Sequence, residues 1–363
     1  MRRNRTIRIV LFGLLAMAML LTACQPAATA TPTTAPAAAN TSAPATAAPA
    51  PTATVPAAAC SPLPNPPVAK AGELGSPDKP IVITFVPSGD TGKITKAGNA
   101  IAECLNKMTG LSFKVEVGTT FAASIEAMGA DKAQVGFLNT FSVLLAQQKY
   151  GIVPALAVMR KYNTNDVDPD KAMSGQLTAF YKGQFIAKKD SGIKTIADLK
   201  GKTFCFVDPN STSGYIIPRI VMKANGVDPD KDLKSSQNAG SHNNVAIAVY
   251  KGDCDAGVTY IDVITDETAN LKEKYPDIAD KVGAFADTDR IPNDGVQYVK
   301  TLDPQLQAVI TDGLLAMAKD PGGNAVLRGL YTINDFQKID ATFYQDFLAV
   351  LQKAGVDPAE LVK

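Results

Sequence analysis

The residues best placed to do chemistry in this 363-residue chain lie in two short polar runs, each opening a helix. The first is Val207-Asp-Pro-Asn-Ser211-Thr212-Ser213-Gly214-Tyr215, where an apolar strand run ends in three hydroxyls and an apolar helical pattern begins. A helix N-terminus carries N–H groups with no intrahelical partner and the positive end of the helix dipole. One Ser suffices for a cap. Three consecutive hydroxyls exceed that need and add donors, so the run reads as an anion cradle without a cationic side chain. The second run, Ala239-Gly-Ser-His242, sets the only His of the chain at another helix start, where it can donate to an anion. A rival chemistry makes Ser213 a nucleophile and His242 its base. No motif supplies the orienting acid, and a Gly-x-Ser-x-Gly elbow is absent.

Other tempting patterns fail on their spacing. Gly89-Asp-Thr-Gly92-Lys93 has the look of a phosphate loop, but Pro87 stands where the leading Gly belongs and Ile94 where Ser or Thr belongs. Asp166-x-Asp168-x-Asp170 has the start of a calcium loop, but Lys171 replaces its Gly and Leu177 its Glu. A single His excludes His-rich zinc sites. No metal and no cofactor is expected.

These runs need a scaffold, and the apolar patterning supplies one. Strand runs are expected at 81–86, 113–117, 135–138 and 152–159, with helices at 94–108, 122–128 and 141–150 between them. Such alternation points to a parallel α/β sheet. It restarts with extended chain at 177–187, a short helix at 196–200, strands at 203–207 and 256–260, and helices at 215–225 and 245–250. A return strand is expected at 295–300, and the tail 304–362 reads as largely helical. The fold class is therefore α/β: two lobes, each a mainly parallel sheet flanked by helices, joined by crossings near 175–185 and 288–298 into a hinged clamshell. Ligands of such sheets sit beyond the carboxyl ends of the strands.

The N-terminus reads as an export signal. Arg2, Arg3, Arg5 and Arg8 precede an uncharged stretch from 9 to 23, shorter than the roughly 20 residues that span a bilayer. The stretch ends in Leu21-Thr22-Ala23-Cys24, which resembles a bacterial lipobox, with Cys24 the lipidated residue. Of the 35 residues from 25 to 59, 31 are Ala, Thr or Pro and none is charged, the composition of a tether. The expected order is a leader (1–23), a tether (24–60), lobe one (61–176), lobe two (177–292) and a return to lobe one (293–363). Four Cys remain in an exported chain, and the expected disulfides are Cys205–Cys254 and Cys60–Cys104. A net charge of +1 with no later basic block excludes a nucleic-acid-binding footprint. A monomer is expected.

The polar runs, with Pro218 behind the first, resemble those of the phosphonate/phosphite/phosphate substrate-binding proteins of ABC importers. Thr119-Thr120-Phe121-Ala122, Phe137-Leu-Asn139-Thr140, Lys189-Asp-Ser-Gly-Ile193 and Asp198-Leu-Lys-Gly-Lys202 extend the resemblance over about 80–300. It implies a lipid-anchored receptor, outside the cytoplasm, that closes two lobes on a phosphorus oxyanion and docks on a membrane permease. It also implies roles. Ser211, Thr212, Ser213 and His242 would hold the oxyanion, with Ser88 and Thr140 approaching from the other lobe. Thr120, Phe121, Asn139, Tyr181 and Tyr260 would complete the pocket, and Asp262 and Asp294 match carboxylates that contact the amine of amino-phosphonates. Phe121 and Asn139 depart from the Tyr and Gly common in such proteins. Aminoalkylphosphonate, methylphosphonate, phosphite and phosphate all stay open as ligands, as does another small anion such as a sulfonate.

Overall fold

The run Ile81-Val-Ile-Thr-Phe85 is apolar at nearly every position because helices cover both faces of the strand it forms. The computed structural model describes residues 60–358, so the expected leader, Cys24 and nearly all of the tether lie outside the described residues. In chain order the strands are β1 (Ile81–Phe85), β2 (Phe113–Val117), β3 (Val135–Leu138), β4 (Val153–Lys161) and β5 (Leu177–Thr178). There follow β6 (Phe180–Tyr181), β7 (Gly183–Lys188), β8 (Thr203–Phe206), β9 (Ser235–Asn238) and β10 (Ala256–Tyr260). The last are β11 (Val282–Asp287), β12 (Ile291–Pro292), β13 (Gly295–Tyr298) and β14 (Asp335–Lys338).

Two sheets form the two lobes. The first has the order β14-β4-β13-β3-β1-β2, with β5 added beside β4; the second has the order β11-β7-β10-β8-β9. β1 runs parallel to β2 and β3, while β13 runs antiparallel to both β3 and β4. The first sheet is thus mixed, because β13 returns from the other lobe and enters against the direction of its neighbours. In the second sheet β8, β9 and β10 are parallel, and β7 is antiparallel to β10 and β11. The two crossings pair with each other: β12 lies antiparallel on β6, with Ile291 opposite Tyr181. Asn293 then fastens the return crossing, donating from Nδ2 to the carbonyls of Val158 at 3.0 Å and Thr178 at 3.1 Å.

Helix limits follow local chemistry. Asp90 caps the helix Thr91–Thr109 through Lys93 N–H at 2.8 Å, and Gly110 ends it in the left-handed region at φ 71°. The residues that resemble a phosphate loop are therefore a helix cap. That helix buries Ile94, Ile101, Leu105 and Met108. Asp168 and Asp170, of the run that resembles a calcium loop, instead ion-pair with Lys182 at 2.8 and 2.7 Å.

The tail expected to be largely helical also contains β14, whose one buried side chain is Phe336 and which pairs with β4 at the sheet edge. β9, Ser-Ser-Gln-Asn, is exposed throughout and β11 only partly buried, so neither carries the apolar signal of a strand.

Cys60 is bonded to Cys104 and Cys205 to Cys254, closing separations of 44 and 49 residues. Closing loops of this length removes unfolded-chain entropy worth about 2–4 kcal/mol each. Urea unfolding of Cys205→Ala/Cys254→Ala is expected to show a loss of about that size. A midpoint unchanged from the oxidised wild type would show that the bond adds no stability.

Candidate functional site

The polar run after β8 folds into an unusual first turn. Residues Thr212–Ile216 form a π-turn before the helix Ile217–Ala224, with Ile216 N–H donating to Ser211 C=O at 3.0 Å. Pro218 explains the departure from an α-helix. It has no N–H to give the Gly214 carbonyl four residues back, and that carbonyl instead accepts from Val207 N–H at 3.0 Å. The widened turn folds back onto the strand end, and a side chain at Gly214 would collide with Val207. Ser211 Oγ caps the turn, accepting from Gly214 N–H at 3.1 Å. Ser211, Thr212 and Ser213 are all buried.

His242 opens the helix His242–Lys251 behind the cap Ser241. Its backbone N–H donates to Ser88 C=O of the other lobe at 3.0 Å. Its Nδ1 accepts from the Tyr260 N–H at 3.0 Å, which leaves the ring proton on Nε2. That Nε2–H lies 3.5 Å from Ser211 Oγ, at the outer limit of a hydrogen bond. Burial pushes the imidazole down to about 3, so the ring stays neutral. The result is a neutral, oriented donor. It cannot serve as a base, because the nitrogen facing the hydroxyl already carries the proton.

A partly enclosed cavity of about 50 Å³ lies between the lobes. Of the expected residues, Ser88, Phe121, Asn139, Tyr181, Ser211, Ser213, His242, Tyr260 and Asp294 line it. Ser88 and Asn139 follow β1 and β3, while the Ser211 and His242 loops follow β8 and β9. The lining thus comes from the carboxyl ends of parallel strands in both lobes. Asn139 donates from Nδ2 across the cleft to Asn210 C=O at 2.8 Å and Thr212 Oγ1 at 2.9 Å, while its Oδ1 is buried without a partner.

Asp294 Oδ1 is likewise buried and unpartnered. Burial pushes the Asp294 carboxyl up to about 7, against the opposing pull of Arg160 and the Thr140 amide.

Four expected residues stand outside the lining. Thr120 caps the helix Phe121–Gly129 from an exposed position. Thr140 donates to Pro292 C=O at 2.6 Å and so holds the return crossing. Thr212 Oγ1 accepts from Asn139 and from Phe141 N–H at 2.9 Å, joining the lobes. Asp262 is drawn into ion pairing with Arg160 at 3.3 Å.

Three residues line the cavity that the sequence reading missed: Arg160, Asp266 and Tyr331. Arg160, near the end of β4, pairs with Asp266 at 3.2 Å and donates from Nε to Thr332 Oγ1 at 2.8 Å. Its one sequence signal is a cation at the carboxyl end of an apolar strand. Tyr331 donates to Val86 C=O at 2.7 Å, and Tyr331 and Thr332 both hold φ 52°, a strained left-handed backbone for residues with side chains. No motif marks it.

A family model described as ABC transporter, phosphonate, periplasmic substrate-binding protein matches residues 83–344. A phosphate-import protein of Mycolicibacterium smegmatis is 26% identical over 195 residues, 52% of this chain and 57% of that protein. A phosphonates-binding periplasmic protein of Escherichia coli is 26% identical over 233 residues, 62% of each chain. The chain therefore aligns with about three-fifths of the length of these curated relatives. A binding-protein component of an ABC phosphonate transporter from Pseudomonas aeruginosa superposes with TM-score 0.64 at 22% identity, covering 76% of this chain and 87% of that one. A Prochlorococcus marinus protein solved with methylphosphonate gives 0.63 at 17% identity, covering 76% and 98%. Both share the two-lobed α/β fold.

Proposed function

The chain belongs to the family of phosphonate-type periplasmic substrate-binding proteins of ABC transporters, and from that premise we propose that it captures a phosphorus oxyanion outside the cytoplasm and delivers it to a membrane permease. The observation that carries the reading is the convergence of neutral donors on one partly enclosed cavity: the Ser211 and Ser213 hydroxyls at one helix start, and His242 Nε2–H at another. Neutral donors of fixed geometry suit an anion whose charge must be matched and later released. The names of the relatives support the same class, one importing phosphate and one binding phosphonates.

The role is binding rather than catalysis. A neutral imidazole protonated on the nitrogen nearest Ser211 has no capacity to activate it. Ligand held by donors of lobe two and by Ser88 and Asn139 of lobe one would stabilise the closed arrangement through contacts absent when the lobes part. The leader pattern ending at Cys24 supports a lipid anchor on the extracytoplasmic side of the cell membrane, and the tether composition supports reach to a permease. Among the described residues no helix is long and apolar enough to cross a membrane. The receptor acts as a monomer in this reading.

A thermal-shift panel of phosphate, phosphite, methylphosphonate, 2-aminoethylphosphonate, sulfate and taurine tests it. A ligand at a hundredfold excess over its Kd adds about 2.7 kcal/mol to native-state stability. A raised midpoint with at least one phosphorus oxyanion, and none with sulfate or taurine, is expected. A rise confined to sulfate or taurine would move the assignment to sulfur oxyanions.

A further inference from the structure

Resting on the reading that the cavity binds a phosphorus oxyanion, we propose that Arg160 sets its specificity: as a built-in cation paired with Asp266 of the cavity lining and with Asp262 outside it, it makes the site take compact, unaminated oxyanions (phosphate, phosphite, methylphosphonate) and reject aminoalkylphosphonates.

An ammonium group entering this cavity needs carboxylate oxygens free to receive it. Asp262 has none to spare: Oδ1 faces Arg160 Nη2 at 3.4 Å, and Oδ2 receives Arg160 at 3.3 Å and Asn163 Nδ2 at 2.7 Å. Asp266 is committed as well. Its Oδ2 takes Arg160 at 3.2 Å, and its Oδ1 accepts from Thr268 N–H and Oγ1, both at 2.6 Å, and from Ala269 N–H at 3.1 Å. Arg160 cannot swing aside cheaply. Thr332 holds its Nε, the Tyr260 ring lies 5.7 Å from the guanidinium, and its side chain is only 15% exposed. An aminoalkyl arm would have to displace a bidentate-capable cation from two carboxylates that, among the described residues, have no other ion-pair partner.

Asn139 Oδ1 faces the same cavity without a hydrogen-bond partner, and of the lining carboxylates Asp294 keeps one such free buried oxygen. Burial raises the Asp294 carboxyl to about 7, and in its protonated form it can donate to an oxyanion as well as accept from a P–OH group. Size agrees with charge. A cavity of about 50 Å³ has room for about three to five waters. Phosphite, phosphate and methylphosphonate are compact on that scale. 2-Aminoethylphosphonate adds a two-carbon arm and an amine.

The competing role for Arg160 is a clamp between lobes, which would serve every ligand alike. The ratio of affinities separates the two. Titration calorimetry of the wild type is expected to show the best compact oxyanion bound at least about 100-fold tighter than 2-aminoethylphosphonate, since a site whose polar partners are mismatched discriminates strongly. In Arg160→Ala that ratio is expected to collapse by at least about 30-fold, because the ammonium then takes the place of the guanidinium on Asp262 and Asp266. If Arg160→Ala does not fold, Arg160→Gln, which is neutral and retains hydrogen bonding, is read by the same ratio. A wild type that binds 2-aminoethylphosphonate as tightly as methylphosphonate, or a variant that loses both in proportion, overturns the proposal. A wild type that binds no phosphorus oxyanion at all overturns instead the functional reading beneath it.

Discussion

Replacing Ser213 and His242 together with alanine is expected to weaken binding of the best phosphorus oxyanion by about 10²–10⁴-fold, because each hydrogen bond to a charged group contributes about 1.5–3 kcal/mol. Both side chains are nearly inaccessible, so water cannot replace the lost donors without first entering a small, partly enclosed cavity. Ser213 is the better target than Ser211. Ser211 Oγ also caps the π-turn through Gly214 N–H, so its removal mixes a stability loss with a binding loss. Thr212 is unsuitable for a similar reason, as its oxygen joins the lobes through Asn139 and Phe141. The two substitutions face one ligand, and their effects need not add. Calorimetric titration of each single variant and of the pair checks this. An affinity within about threefold of wild type in the double variant would exclude the cradle from the binding site.

The polar run was legible as a helix start because its pattern is local, although its Thr212 joins the lobes instead of lining the cavity. A strand end, three hydroxyls and a helix start fall within nine consecutive residues. The crossings were legible too, since each is extended chain between two blocks of strand and helix alternation. What escaped depends on contacts distant in sequence. Arg160 on β4 reads as an ordinary strand-end cation until Asp262 and Asp266, about a hundred residues later, are brought against it. The resemblance gives Asp262 to an amine; Arg160, which pairs with it, belongs to no motif. Tyr331 reaches the cleft on a strained turn between the helix Pro321–Arg328 and β14, in a tail whose composition reads as helix. The π-turn was missed for a different reason. The sequence shows Pro218 inside a helical pattern, but only the Val207–Gly214 bond shows where the freed carbonyl goes.

The pH dependence of stability should expose two buried groups that conceal each other. His242, held near 3 by burial, takes up no proton in the native state while the unfolded chain does so near 6.5, so it makes stability fall as pH drops below about 6.5. Asp294 works the other way. Its native carboxyl keeps a proton up to about 7 while the unfolded one releases it near 3.8, so it makes stability fall as pH rises from about 4 to 7. Between about pH 4 and 6.5 one group gives the unfolded state an extra proton and the other gives the native state one. Each slope is about 1.4 kcal/mol per pH unit, and the two cancel. Removing either group should unmask the other. Relative to wild type, Asp294→Asn should gain stability as pH rises, by about 3 kcal/mol between pH 4 and 6.5, and His242→Gln should lose a similar amount over the same window. Asp287, pushed up to about 6 mainly by burial, acts in the Asp294 direction, but it contributes equally in wild type and in both variants. The differences between curves therefore isolate the two residues. Urea unfolding at half-unit steps from pH 4 to 8 measures them. If the Asp294→Asn difference stays flat across that range, the Asp294 carboxyl is ionised in the native state throughout. The cavity then has no carboxyl proton to offer a bound oxyanion, and its selectivity for phosphorus oxyanions has to come from its other lining groups, Arg160 and the neutral donors of the two helix starts.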